Sequence, residues 1–170
     1  MVKQILVISL LGLASTATAA DLPKRKSGLW ELTTTSSTRA KAAPGGMTMS
    51  MCTDEKSDAN WLQMGQHSAQ SKCSKQETTV ERDRVLFSSV CNFGKTTATT
   101  KGVASGDFNR EYKVETNSTY DPPLGDMKEA SNTIVAKWLG PCKAGQKPGD
   151  MIMPNGMTMN MNDMMMKMKK

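Results

Sequence analysis

The sequence predicts a mainly β protein, an antiparallel meander curled into a small barrel or half-barrel with one short helix and a disordered methionine-rich tail. Three observations predict it. Residues 108–120 alternate, with Phe108, Tyr112, Val114 and Tyr120 on one side and Asn109, Glu111, Lys113, Glu115 and Asn117 on the other, broken only by Arg110. Other segments rich in Thr, Val and aromatic residues are separated by short turns, which favours strands paired in sequence order. After Gly149 the composition changes abruptly, and the last twenty residues hold nine methionines and three lysines.

Taken in order, residues 1–19 read as a secretory signal peptide. Lys3 supplies the positive start, Ile5–Ala14 the apolar run, and Ala17-Thr18-Ala19 the small-residue cleavage site. The run is too short to span a bilayer as a permanent helix. Residues 21–150 form the expected domain. Its strands are Leu29–Arg39, Lys72–Val80, Arg84–Cys91, Lys95–Val103, 108–120 and Met127–Trp138. Glu81-Arg82-Asp83 and Ser105-Gly106-Asp107 serve as turns, and Asp121-Pro122-Pro123 ends a strand. A helix is expected from Asp54 to about Gln66, capped by Thr53, with acids in its first turn and Gly65 near its end. Residues 151–170 have the low-complexity composition of a disordered tail.

The domain needs bracing. Between Asp21 and Asp150 only 27 of 130 residues are Val, Ile, Leu, Met, Phe, Trp or Tyr, so its core must be thin. Export implies an oxidising compartment, where four cysteines favour two disulfides. Pairing Val80 with Arg84 across the charged turn sets Cys73 directly opposite Cys91, close enough for a bridge. Cys52 and Cys142 would then close a loop of about ninety residues. The cysteines contain no C-x-x-C, so zinc or thioredoxin-type chemistry has little support.

Two segments, Lys26-Ser27-Gly28-Leu29-Trp30-Glu31-Leu32 and Ala136-Lys137-Trp138-Leu139-Gly140-Pro141-Cys142, together with Met47–Cys52 followed by Thr53-Asp54-Glu55, resemble the Domain of Unknown Function 3617 family. The resemblance covers about residues 24 to 150. It implies a bacterial envelope protein with a β-rich body bracketed by the two tryptophan motifs, and it implies no activity.

The sharpest chemical feature is a repeat. Pro44-Gly45-Gly46-Met47-Thr48-Met49-Ser50-Met51 recurs as Pro154-Asn155-Gly156-Met157-Thr158-Met159-Asn160-Met161. In extended chain, three thioethers project from one side at intervals of roughly 6.5–7 Å. Thioethers are soft, neutral ligands that select Cu(I) or Ag(I) over Zn(II) or Mg(II). Met47, Met49, Met51, Met157, Met159, Met161, Met164, Met165 and Met168 are therefore candidate ligands, with Cu(I) the one candidate cofactor. Other readings stand beside this one. Met47–Met51 also reads as a strand whose methionines fill core gaps. Met157, Met161, Met164, Met165 and Met168 recur at helical spacing beside Lys167, Lys169 and Lys170, which suits a short helix on an anionic surface or in a partner's groove. Exposed methionine is also an oxidant sink.

A net charge of +6, 22% charged residues and a mean hydropathy of −0.46 exclude a multi-span membrane protein. His67 is the only imidazole, and no G-x-S-x-G, H-E-x-x-H or phosphate-binding glycine loop occurs, so catalysis is not expected. The basic runs lack interleaved aromatic residues, so no nucleic-acid partner is expected. The expected protein is a periplasmic or secreted, non-catalytic binding module for a soft metal. The alternative is an envelope structural protein that contacts a membrane surface or a protein partner.

Overall fold

A computed structural model describes residues 22–38, 46–70 and 72–168. The expected signal peptide, residues 1–19, lies outside them. The elements are β1 (Gly28–Ser36), β2 (Met47–Thr53), α1 (Glu55–Gln70), β3 (Cys73–Glu81), β4 (Arg84–Phe93), β5 (Thr96–Asp107), β6 (Glu111–Leu124), β7 (Met127–Gly140), β8 (Asp150–Ile152), β9 (Thr158–Asn160) and α2 (Met161–Met168). The strands make one antiparallel sheet in the order β3-β4-β5-β6-β7-β1-β2-β8-β9. The sheet is open, with β3 and β9 as its edges. The closed barrel is not formed, and the half-barrel is the form compatible with this sheet.

One face carries most of the core, with Leu29 and Cys52 buried on the other. Following the register from strand to strand, Val85, Ala98, Ser118, Ala130, Ala136, Trp30, Met51 and Met151 all point the same way, and all are buried. Trp30 and Cys52 are the largest side chains fully out of solvent. The core therefore concentrates where β7, β1, β2 and β8 run side by side. β2 and β3 point in the same direction, so the chain must return along the sheet between them, and α1 makes that crossover. Asp54, not Thr53, caps α1. The Ser57 amide donates to Asp54 Oδ1 at 2.7 Å, and the Asp54 amide donates to Ser57 Oγ at 2.9 Å, a reciprocal capping box. Among the described residues no helix is long and apolar enough to cross a membrane.

The structure joins Cys73 to Cys91 and Cys52 to Cys142. The register of the first pair differs from the sequence expectation. Val80 pairs with Val85 and Glu81 with Arg84, one residue out of step with the expected Val80–Arg84 pairing. The tighter turn leaves only Arg82 and Asp83 unpaired, with Arg82 at φ 43° and an Arg84–Glu81 ion pair of 2.8 Å closing it. A bulge between Cys73 and Lys75 absorbs the lost residue and restores Cys73 opposite Cys91. The β5–β6 hairpin is also displaced. β5 continues to Asp107, and β6 begins only at Glu111, because the Asp107 side chain and carbonyl accept the Asn109 and Arg110 amides and fold 108–110 into the turn.

The tail is the main correction. Residues 150–168 are not disordered; they form β8, β9 and a second helix, α2. Met153-Pro154-Asn155-Gly156-Met157 is a hairpin loop. The Met153 amide donates to the Met157 carbonyl, the Gly156 amide donates back to Met153, both at 2.9 Å, and Gly156 sits at φ 80°. That is a type I turn, with Pro at its second position, followed by a left-handed glycine. Asn160 Oδ1 then accepts the amides of Asn162 and Asp163 at 3.0 and 3.2 Å and caps α2. Low complexity in composition concealed specific turn and cap chemistry.

Candidate functional site

The two tryptophan segments meet. Trp30 of β1 pairs with Trp138 of β7, and Leu29 pairs with Gly140. Trp30 Nε1 donates to the Lys26 carbonyl at 2.8 Å, and Trp138 Nε1 donates to the Ser27 carbonyl at 3.1 Å. Lys26 Nζ lies 3.6 Å from the centre of the Trp138 ring, a cation–π contact. Gly28 makes this approach possible. It sits at φ 135°, and a Cβ there would fall 2.3 Å from the Gly140 carbonyl oxygen and 2.6 Å from Trp138 Nε1. We expect Gly28→Ala to cost about 2 kcal/mol, measured by urea unfolding, because it combines backbone strain with a backbone clash.

Directly before these motifs, Arg25 enters the same face. Its Nε and Nη2 donate to the two carboxylate oxygens of Asp58 in α1 at 2.8 and 2.5 Å. Nη1 donates to the Tyr112 hydroxyl and Nη2 to Met51 Sδ, both at 3.3 Å. Thr53 Oγ1 also donates to Asp58. The Trp30 ring lies 5.8 Å from the guanidinium and 5.4 Å from the Tyr112 ring. Burial pulls the Arg25 pKa down, but the hydrogen bond to Asp58 and the charges of Tyr112 and Asp58 outweigh it, so the net shift is upward and Arg25 stays cationic. This cluster ties the N-terminal segment, α1 and β6 to the methionine strand.

The structure brings both methionine repeats together. Met47, Met49 and Met51 of β2 pair with Thr34, Leu32 and Trp30, so all three share the core face. The second repeat forms β9, and β8 lies between the two. Met51 pairs with Met151, which pairs with Met159, making one row across three strands. The β2–β8 pairing ends at Ser50–Ile152; continued one residue, its register would bring Met49 beside Met153, which is itself hydrogen-bonded to Met157 across the β8–β9 loop. Each repeat enters its strand through a glycine at φ 80°, Gly46 or Gly156, so the sequence repeat is also a backbone repeat. Met51 and Met151 are buried, Met49, Met153 and Met159 half-buried, and Met157 exposed.

A family model described as a protein of unknown function (DUF3617) matches residues 25–142. The chain belongs to the DUF3617 family. No curated protein and no solved structure matches it. The DUF3617 match runs from the Arg25 guanidinium to the Cys142 bridge and so includes the first methionine repeat and both disulfides. The second repeat lies beyond the DUF3617 match, on a hairpin added to the β2 edge.

Of the nine expected ligands, Met47, Met49 and Met51 lie on β2 and Met159 on β9, Met157 ends the β8–β9 loop, and Met161 begins α2. Met164 and Met165 sit further along α2, and the Met168 side chain lies outside the described residues, as does that of His67. The helical spacing expected from Met157 onward holds only from Met161, because Met157 belongs to the hairpin. Sequence reasoning missed Met151 and Met153, although the alternation Met151-Ile152-Met153 ahead of Pro154-Asn155-Gly156 is a strand-and-turn signature. Among the described residues no group of three or more His, Cys, Asp or Glu is placed to hold a metal. Thioethers are the donors this face offers.

Proposed function

We propose that this DUF3617 protein is an exported, periplasmic, non-catalytic binding domain that takes Cu(I) or Ag(I) through methionine thioethers. One observation carries the reading. The first methionine triplet lies on β2, and the second repeat, more than a hundred residues away in sequence, returns beside it across β8, so that Met51, Met151 and Met159 form one row on one face and Met157 closes the adjoining loop. Packing alone does not call for the half-buried Met47, Met49, Met153 and Met159 and the exposed Met157 around the buried Met51–Met151 pair, whereas a soft cation needs several such donors close together. The two disulfides support an oxidising, non-cytoplasmic location, and the leader-like residues 1–19 support export.

Calorimetric titration of the mature chain with Ag(I), which avoids copper redox chemistry, tests the reading. Binding tighter than micromolar, weakened at least tenfold in the Met157→Leu, Met159→Leu, Met161→Leu variant, is the expected result. Weaker binding by the wild type, or equal binding by both proteins, would overturn it.

A further inference from the structure

The two methionine rows are not equivalent, and their surroundings decide which one a cation would occupy. The row Met51–Met151–Met159 is closed at its β2 end. Arg25 Nη2 donates a hydrogen bond to Met51 Sδ at 3.3 Å, so a thioether lone pair is already engaged by a guanidinium that Asp58 holds in place. Met51 and Met151 each retain only 7% of their surface. A cation entering there would have to displace the Arg25–Met51 hydrogen bond and shed its water in a buried site already holding the Arg25–Asp58 pair.

The row Met49–Met153–Met157 lies one side-chain repeat further along the strands, roughly 7 Å from Arg25's partner sulfur. Met157 is 52% exposed, and Met49 and Met153 are half-buried, so solvent reaches this row. Met153 and Met157 flank the hairpin loop and are joined by a backbone hydrogen bond of 2.9 Å. Side chains paired across neighbouring strands have Cβ atoms about 4.5–5.5 Å apart, closer than the 6.5–7 Å between alternate residues of one strand. Sulfurs sharing one ion must come within two metal–sulfur bond lengths of each other. Cross-strand neighbours meet that requirement more easily than the Met-x-Met triplet of either repeat.

We infer that the soft-cation site is the cross-strand trio Met49, Met153 and Met157, one thioether from each of three adjoining chain segments, with Met51 reserved by Arg25 for structure. The inference rests on the reading above and deepens it. It draws its three donors from the first repeat, from the residue after β8, and from the second repeat, so the DUF3617 body supplies one ligand and the added hairpin two. The hairpin completes the site.

The test compares Ag(I) titrations of the full mature chain with those of single Met→Leu variants, a substitution of similar volume. Met49→Leu, Met153→Leu and Met157→Leu should each lower affinity at least tenfold, and Met51→Leu and Met151→Leu less than threefold. A second measurement does not depend on how the variants fold. In wild-type protein labelled at the methionine methyl groups, Ag(I) should shift the Met49, Met153 and Met157 resonances and leave that of Met51 in place. Tight binding by the wild type with losses confined to Met51→Leu and Met151→Leu, or with the Met51 resonance the one that moves, would overturn this site and leave the soft-metal reading standing. Absence of Ag(I) binding by the wild type would overturn both.

Discussion

Replacing Cys52 and Cys142 together by alanine should lower the unfolding free energy by about 4–5 kcal/mol, the larger of the two disulfide effects. The bridge joins residues 90 apart, whereas Cys73–Cys91 spans 18. In the chain-entropy model the long loop contributes about 4.6 kcal/mol and the short one about 3. The long bridge also spans β1, holding β2 to the segment that leaves β7, and Cys52 is fully buried, so the alanine pair removes packing as well. For a domain of this size the loss corresponds to a fall of about 10–20 °C in the unfolding midpoint. Thermal and urea unfolding of the two double-alanine variants would check it, with the Cys52/Cys142 variant expected to be the less stable. The reverse order would show that Cys73–Cys91, at the β3 edge, braces more of the molecule than its loop length implies.

The thin core is why such a bridge weighs heavily, and that much was legible from composition. So were the antiparallel strand order from β3 to β7, the position of α1 and the identity of both cysteine pairs. All but one follow from signals that lie within one segment or one hairpin, namely alternation, turn residues and a capped start; Cys52–Cys142 follows as the pair left once Cys73 is set opposite Cys91. What sequence did not show depends on relations between segments. The Cys73–Cys91 register needed a two-residue turn and a compensating bulge, and the two errors cancelled at the cysteines. Nine methionines in twenty residues dominate a compositional view of the tail, while its order comes from Pro154-Asn155-Gly156, from the Asn160 cap and from an available β2 edge. The candidate site was legible as donor chemistry. Its donors had been grouped along the chain, whereas the sheet groups them across it. Arg25, which sets the two methionine rows apart, carried no local signal, because its partners lie 26, 33 and 87 residues away.

Asp58→Ala should destabilise the protein by about 3 kcal/mol through Arg25 rather than through the helix that carries the change. The guanidinium side chain is 12% exposed and its partner 22%, so the pair is largely withdrawn from water. Removing one member of a buried pair costs about 3–5 kcal/mol because the other charge stays behind unpaired. Arg25 cannot escape by losing its proton, because a guanidinium is in practice never deprotonated in a protein. Residual solvent access puts the cost at the lower end, and the helix-favouring alanine returns a few tenths of a kcal/mol. A double-mutant cycle with Arg25→Met separates the two contributions. Methionine keeps the aliphatic stem and removes the charge, so Arg25→Met/Asp58→Ala should be more stable than Asp58→Ala alone. Additive losses in urea unfolding would instead mean that the pair contributes little and that Arg25 acts through Tyr112 and Met51. Coupling in the expected direction makes Arg25 the link between the N-terminal segment, the first turn of α1 and the β2 methionines, so that a change in helix position would reach Met51 through a single side chain.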